Sequence, residues 1–151
     1  MIRKAKVNEV KTIHKIIMEQ AEAGHLLPRP ISDLYSQVRS IFLWVDDTTQ
    51  EVAACGSLEV IWEDLAEIRS LAVRTERQGA GIGTELILTL LNEARKMQLQ
   101  RVFVLTYRSK LFERQGFSII DKSTLPHKIW ADCIHCTKFP ECDEIALAKD
   151  L

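Results

Sequence analysis

Three glycines at alternate positions, Gly79, Gly81 and Gly83, constrain this chain more than any other feature. The run before them, 66–73, has the composition of a strand, and the run behind them has an apolar stripe at helical spacing. Glycine allows tight turns and close backbone approach, while a helix start presents unpaired N–H groups and the positive end of a dipole. A strand, a glycine loop and a long helix in that order predict a binding site for a phosphate or pyrophosphate.

The spacing of these glycines differs from the motifs of two common phosphate-binding loops. A P-loop needs Gly-Lys-Ser/Thr at its last glycine, and here Thr84 follows Gly83 directly. A dinucleotide fingerprint needs G-x-G-x-x-G, whereas this chain has G-x-G-x-G. On these residues alone, a glycine-rich turn that only caps a core helix is the alternative.

Composition and charge narrow the class of protein. The 151 residues suffice for a sizeable core, so we expect one domain over residues 1–151. A net charge of −1 argues against a nucleic-acid partner, which requires a basic face. There is no apolar run of roughly 18 residues and no apolar segment of a signal peptide, so no membrane association is expected. We expect a soluble cytoplasmic protein whose four cysteines are thiols or metal ligands.

The hydrophobic pattern predicts mixed strands and helices along the chain. We expect helices at 7–22, about 32–40, behind the glycines and at 110–115, and strands at 2–6, 42–46, 51–62, 65–73, 101–106, 117–120 and near the C-terminus. Because a helix connects the strands at 65–73 and 101–106, these two strands should pair in parallel.

The strand at 65–73 combines charged and apolar positions. By the period-two alternation of a strand, its odd-numbered side chains should share one face: Leu65, Glu67, Arg69, Leu71 and Val73. That face changes from charged to apolar part-way along. The change predicts a strand whose first half lines a cleft and whose second half enters the core.

Several motifs resemble those of the GNAT acetyltransferases. Gln78-x-x-Gly81-x-Gly83 resembles their Q/R-x-x-G-x-G/A pyrophosphate loop, and LFERQGF at 111–117 resembles their F-Y-x-x-x-G-F segment. LLPRP, WEDLAEIRSLAV and the tail KIWADCIHCTKFPECDEIAL further resemble the acetyltransferase domain of bacterial N-acetylglutamate synthases. The resemblance implies an α/β chain with the GNAT fold, a mixed and mostly antiparallel sheet with a splayed parallel pair and helices on both faces. It also implies acetyl-CoA as cosubstrate, L-glutamate as acceptor in arginine biosynthesis, and a homodimer, since GNATs commonly dimerise.

The resemblance assigns cofactor binding to two segments and one further residue. The pantetheine arm would lie along Leu71, Ala72 and Val73, and the pyrophosphate on the backbone of Gln78, Gly79, Ala80, Gly81, Ile82, Gly83 and Thr84. Phe112 stands where many members carry a tyrosine that protonates the departing thiolate. The chain departs from the pattern at that position, and Thr106 or Tyr107 could assist instead. A backbone N–H near Leu71 is the expected donor to the oxyanion.

The attacking ammonium must lose a proton, which a carboxylate near the splay could accept directly or through water. Glu67 is the predicted base, and it matches the glutamate proposed for related synthases. Glu59 and Glu63 are rivals. A structural salt bridge between Glu67 and Arg69 is the alternative.

A dicarboxylic amino acid also needs cations to bind its carboxylates. Arg29, held between two prolines, and Arg69 are the predicted substrate ligands, and Arg108 is a weaker candidate. If no arginine faced the cleft, glutamate would be a poor prediction.

The tail contains a group of cysteines and histidines that resembles part of a zinc site: His127, Cys133, His135, Cys136 and Cys142. A second C-x-x-C is missing, so Cys55 or a histidine would have to complete four ligands. A folded tail with reduced thiols, covering the substrate side of the cleft, is the preferred interpretation. Three other functions stay open: a non-catalytic acyl-CoA sensor, a metal-dependent interaction module, and an acetyltransferase for another amine or a protein N-terminus.

Overall fold

The computed structural model describes residues 1–126 and 143–151. Its seven-stranded sheet has the order β1-β2-β3-β4-β5-β7-β6. The strands are β1 Ile2–Lys4, β2 Ile41–Val45, β3 Val52–Trp62, β4 Leu65–Val73, β5 Arg101–Thr106, β6 Ser118–Ile119 and β7 Ile145–Asp150. All pairings among these strands are antiparallel except that of β4 with β5, which is parallel as predicted.

Helices lie on both faces of the sheet, as expected. They are α1 Val10–Glu22, α2 Ile31–Ser36, α3 Ile82–Lys96 and α4 Ser109–Glu113, with short 3-10 turns at Val7–Glu9, Val38–Ser40, Thr75–Arg77 and Lys122–Thr124. The helix predicted at 32–40 divides into α2 and a 3-10 turn, because Gln37 has a φ of −105° and a ψ of 16°. Within residues 1–126 and 143–151, no helix is both long and apolar enough to cross a membrane.

Two apolar cores sandwich the sheet. The predicted stripe of α3, which includes Leu86, Leu90 and Leu91, is buried against Ala54 and Ile68. On the opposite face, α1 buries Ile13 and Ile17 together with Cys55 and Ala72. Neighbouring strand positions such as Ala54 and Cys55 therefore serve different cores, as the alternation of a strand requires.

The parallel strands separate after a short pairing. Their register runs from Leu65 opposite Arg101 to Ile68 opposite Val104 and ends there, although β4 continues to Val73 and β5 to Thr106. β5 remains paired with β7 as far as Thr106. Thus, within the part of the chain that the structure describes, the second half of β4 has no strand partner on its β5 side, and the predicted splay is present.

The predicted shared face of β4 is wrong beyond Arg69. Ser70 has a φ of 55°, and Ser70 and Leu71 together oppose the single residue Gly56 of β3. This β-bulge adds one residue and inverts the alternation. Leu71 and Val73 consequently pack on the α3 core with Ile68, whereas Leu65, Glu67 and Arg69 lie on the other face.

Candidate active site

A cleft opens at the splay. Its walls come from β4, β5, the start of α3, α4 and the α1–α2 connection. They consist of His25, Leu26, Ile68, Ser70, Leu71, Val73, Gly83, Val104, Leu105, Thr106, Arg108, Leu111, Phe112 and Glu144. Of the residues predicted to contact the cofactor or take part in chemistry, Leu71, Val73, Gly83, Thr106 and Phe112 line this cleft directly.

The glycine loop stands at the start of α3, next to the cleft. Gly79 and Gly81 have φ values of 84° and 83°, which L side chains rarely adopt. Both glycines and Ala80 are exposed, so the turn is not covered by its own side chains. Among the described residues no side chain caps the N-terminus of α3, so its first-turn amides can bind an anion.

The side chain of Gln78 holds this loop rather than facing outward. Its Nε2 donates to the carbonyl of Val73 at 3.0 Å and to Oε1 of Gln20 at 2.9 Å. Gln20 is only 1% exposed, and its Nε2 donates to Oγ1 of Thr75 at 3.1 Å. A buried glutamine of α1 therefore fixes the loop to the end of β4, a connection that sequence reasoning did not find.

Arg29 is buried on the α1 side of the sheet, with 4% of its side chain exposed. Its Nη2 donates to Oε1 of Glu59 at 3.0 Å, and its Nε donates to Asp33. Its Nη1 donates to the hydroxyls of Ser57 at 3.4 Å and Ser70 at 3.3 Å. Protein partners thus engage each nitrogen of the guanidinium that was predicted to bind substrate, and one of them fixes the bulge.

Arg69 and Glu67 continue this charged group on the same face. Nε of Arg69 lies 3.3 Å from Oε2 of Glu59 and 3.8 Å from Oε1 of Glu67. Oε2 of Glu59 is buried and, despite that proximity, accepts no hydrogen bond among the described residues. Arg69 is 33% exposed and reaches solvent, whereas Glu67 is buried. The salt bridge between Glu67 and Arg69, which was the alternative to a catalytic Glu67, is therefore present. Neither residue lines the cleft, and the catalytic role of Glu67 stays a prediction.

Thr106 and Tyr107, the two hydroxyl residues predicted to assist departure of the thiolate, lie in different surroundings. Thr106 lines the cleft, and its Oγ1 accepts the backbone N–H of Arg108 at 2.9 Å, which leaves the hydroxyl proton free to donate. The Tyr107 hydroxyl donates to Oδ1 of Asp143 at 2.7 Å and is outside the cleft wall. Phe112 packs edge-on against Phe117, with ring centroids 5.4 Å apart.

Cys55 is buried and inert. Burial raises the pKa of its thiol to about 12, and Sγ donates to the carbonyl of Ser70 at 3.4 Å. A thiolate nucleophile at this position is therefore excluded near neutral pH, which agrees with direct transfer. The other cysteines and the histidines of the predicted metal cluster lie outside the described residues.

Two cleft residues were missed or ranked low by sequence reasoning. His25 belongs to no motif that was used to predict the site. Arg108 was the weakest of the three arginines predicted to bind substrate carboxylates. The structure places both on the cleft wall. The side chain of Arg108 is exposed and forms no ion pair within residues 1–126 and 143–151, so it is the arginine best placed to meet an anionic ligand.

Comparison with known proteins agrees with this geometry. The chain is 36% identical to an uncharacterized N-acetyltransferase of Chlorobaculum tepidum over 150 residues, covering 99% of this chain and 96% of that one. It is 37% identical to the amino-acid acetyltransferase of Mycobacterium tuberculosis over 134 residues, covering 86% of this chain and 75% of that one.

Solved structures share the whole fold. A Mycobacterium tuberculosis protein in complex with CoA and NLQ superposes with a TM-score of 0.85 at 28% identity, covering 100% of this chain and 99% of that one. N-acetylglutamate synthase from Neisseria gonorrhoeae, complexed with coenzyme A and N-acetyl-glutamate, has a TM-score of 0.89 at 24% identity, and this chain spans 35% of it. The profile of the Acetyltransferase (GNAT) family matches residues 10–117, and with the seven-stranded mixed sheet, its single parallel pair and its glycine loop, the chain belongs to the GNAT acetyltransferase family.

Proposed function

We propose that this protein transfers acetyl from acetyl-CoA to the α-amino group of an amino acid, with L-glutamate as the acceptor, as in arginine biosynthesis. One observation carries the proposal: the exposed glycine loop at the start of α3 adjoins a cleft between splayed parallel strands. The similarity to amino-acid acetyltransferases favours an amino acid among the acceptors open to this fold.

The loop and the splay suit the two halves of the CoA molecule. First-turn amides of α3, together with the backbone of Gly79 and Gly81, form a cradle for a pyrophosphate. Among the described residues, the backbone of β4 beyond Ile68 has no strand partner on the β5 side. Backbone N–H and C=O groups on that side can therefore pair with the amide-rich pantetheine arm.

The cations near the cleft suit an acceptor that carries carboxylates. Arg108 stands on the wall, and Arg69 extends partly into solvent on the neighbouring face. Arg29 is occupied by protein partners, so its contribution to substrate binding would be to hold Ser70 in place. In this proposal Arg108 binds one carboxylate directly, and Arg69 is the candidate for the second.

The remaining chemistry needs an oxyanion donor and an acid for the leaving group. In this proposal an N–H of β4 near Leu71, where β4 has separated from β5, bonds the oxyanion of the tetrahedral intermediate. The Thr106 hydroxyl can donate to the departing sulfur in place of the missing tyrosine hydroxyl at Phe112. Because a thiol of ordinary pKa leaves readily near neutral pH, a hydrogen bond suffices there.

The direct test is acetyl-CoA consumption in the presence of a panel of amino acids, with product identified by mass spectrometry. We expect turnover with an acidic amino acid, and with glutamate first. Tight CoA binding with no turnover on any amine would instead identify a sensor. Turnover restricted to peptides or simple amines would change the acceptor and keep the acetyltransferase.

Substituting Gly81 by alanine should weaken CoA binding. A left-handed backbone costs an L-residue about 1–2 kcal/mol. We expect the free loop of the variant to relax, so that CoA binding must restore the turn at that cost, roughly a 5- to 30-fold rise in the CoA dissociation constant. Isothermal titration calorimetry measures this change directly. Gly24→Ala is the matched control, because Gly24 has a φ of 80° and equally open surroundings but lies outside the loop. An unchanged dissociation constant for Gly81→Ala would place the pyrophosphate elsewhere.

A further inference from the structure

His25 lies on the cleft wall, in the connection between α1 and α2. The same cleft is lined by Leu26, by Thr106 at the end of β5 and by Arg108, whose charge acts on His25. The ring has one partner among the described residues: Nδ1 lies 2.7 Å from Oε1 of Gln20. No hydrogen bond from residues 1–126 and 143–151 reaches the other ring nitrogen, Nε2.

The direction of the His25 hydrogen bond follows from a chain of partners that ends on the backbone. The carbonyl of Val73 can only accept, so the amide of Gln78 must turn its NH₂ group toward it. That same NH₂ group contacts Gln20 at 2.9 Å, and the atom facing it must therefore be the oxygen of Gln20. Oε1 of Gln20 can only accept, and so the Nδ1 of His25 must carry a hydrogen.

A neutral imidazole with its hydrogen on Nδ1 has its basic lone pair on Nε2. The NH₂ group of Gln20 is also fixed, because it donates to Oγ1 of Thr75. Gln20 is almost fully buried, so this arrangement cannot be exchanged for water at little cost. The fold therefore presents on the cleft wall a histidine with a fixed tautomer and a basic nitrogen that no described residue engages.

The surroundings of His25 favour its neutral form. Burial lowers the pKa of His25 below its ordinary value of 6.5, and the positive charge of Arg108 lowers it further. The other charged group on the cleft wall is Glu144, while Glu19 lies behind Thr75, which bonds Gln20. The imidazole is consequently unprotonated at neutral pH and able to accept a proton there.

We propose that His25 is the direct proton acceptor for the amino group that is acetylated, which deepens the function proposed above and rests on it. Nε2 takes one proton from the substrate ammonium, and the freed nitrogen lone pair attacks the thioester carbonyl carbon. The tetrahedral intermediate collapses with cleavage of the carbon–sulfur bond. The second nitrogen proton passes to the leaving thiolate, and His25 returns its own proton to solvent, so one proton is released per turnover.

This assignment differs from that of Glu67. Glu67 is buried beside Arg69 and away from the cleft wall, so it could accept the proton only through intervening water. If His25 is the acceptor, the fall of kcat/KM toward low pH (the acidic limb of the pH profile) reports protonation of its imidazole. This limb should then remain in Glu67→Gln and disappear in His25→Gln.

The test compares His25→Gln with His14→Gln, a matched change of a half-buried histidine on α1. We expect kcat/KM of His25→Gln to fall by about 10²- to 10⁴-fold near pH 7.5, with CoA affinity within about twofold of wild type. His14→Gln should match wild type. Wild-type turnover that persists in His25→Gln with an intact acidic limb would overturn this inference and leave the proposed function standing. A wild-type protein that binds CoA but acetylates no amine would overturn the proposed function itself.

Nitrogen-15 spectroscopy of histidine-labelled protein supplies a readout besides activity. It should show His25 as the Nδ1–H tautomer with a pKa below 6.5. In Gln20→Glu, a carboxylate would face Nδ1, and the kinetic limb should move by the same amount as the measured pKa of His25. An Nε2–H tautomer, or a limb that does not follow the pKa of His25, would contradict the assignment.

Discussion

Replacing Arg29 by alanine is expected to lower the free energy of unfolding by about 3–5 kcal/mol. The guanidinium is 4% exposed and donates to Glu59, Ser57 and Ser70. After its removal the buried Glu59 would keep Arg69 as its only cationic neighbour among the described residues, and two serine hydroxyls would lose a donor. Breaking one side of a buried ion pair is costly because the remaining charge stays desolvated. Urea unfolding followed by circular dichroism measures the change.

Arg39→Ala is the control for this prediction, because Arg39 is exposed and its side chain forms no ion pair within the described part of the chain. Its stability should stay within about 0.5 kcal/mol of wild type. Arg29→Lys should recover only part of the loss, since an ammonium cannot reproduce the fork that serves several partners. In a Glu59→Gln background the Arg29→Ala change should cost less than in wild type. A loss below about 1 kcal/mol would show that this buried group is not a main contributor to stability.

The sequence was sufficient for most of the architecture because its local signals agree with one another. β4 at Leu65–Val73 and β5 at Arg101–Thr106 have the predicted bounds, since each is a compact β-rich run between polar turns. The apolar stripe of α3 lies on the face that the spacing predicts. The parallel pairing of β4 and β5 follows from the single helix between them.

The inverted half of β4 was not predictable from period-two alternation. Nothing in the sequence of β4 identifies Ser70 as a left-handed residue, because serine is not one of the usual choices for positive φ. The bulge depends on long-range partners, namely Gly56 on the next strand and Arg29 on the α1–α2 connection. Tertiary contacts therefore decide which side chains of β4 reach the cleft.

The arginines and the histidine near the cleft illustrate the same limit. A sequence shows that a residue carries charge, but partners far along the chain determine whether that charge is available. Besides nearby Asp33, Arg29 bonds residues 28 to 41 positions away, whereas Arg108 has no ion pair within the described ranges. The tautomer of His25 depends on Gln20 and, through it, on Gln78, 58 positions from Gln20. Such contacts between residues far apart in the chain are set by the fold and cannot be inferred from the local sequence.

Glu67→Gln is expected to lower kcat by roughly 100-fold while CoA affinity stays unchanged. The substitution removes the charge that faces Arg69 at 3.8 Å, while Glu59 still faces Arg69 at 3.3 Å. The partly exposed guanidinium would then shift toward Glu59, away from the position in which it can meet an acceptor carboxylate. A displacement of about 1 Å in a group that orients substrate is enough for a loss of this size. Because Glu67 is outside the wall that holds the cofactor, binding of CoA should not change.

Steady-state kinetics and calorimetry with CoA test the two parts of this prediction separately. Glu63→Gln is the matched control, because Glu63 is exposed at the turn between β3 and β4. From the sequence, Glu63 was an alternative candidate for the base. Glu63→Gln should change kcat by less than about twofold.

A Glu67→Gln protein with full turnover would show that Glu67 has no part in the reaction. A variant that loses turnover together with the acidic limb of kcat/KM would restore Glu67 as the base and displace His25. If turnover falls and the limb is retained, Glu67 orients the substrate through Arg69, and His25 accepts the proton.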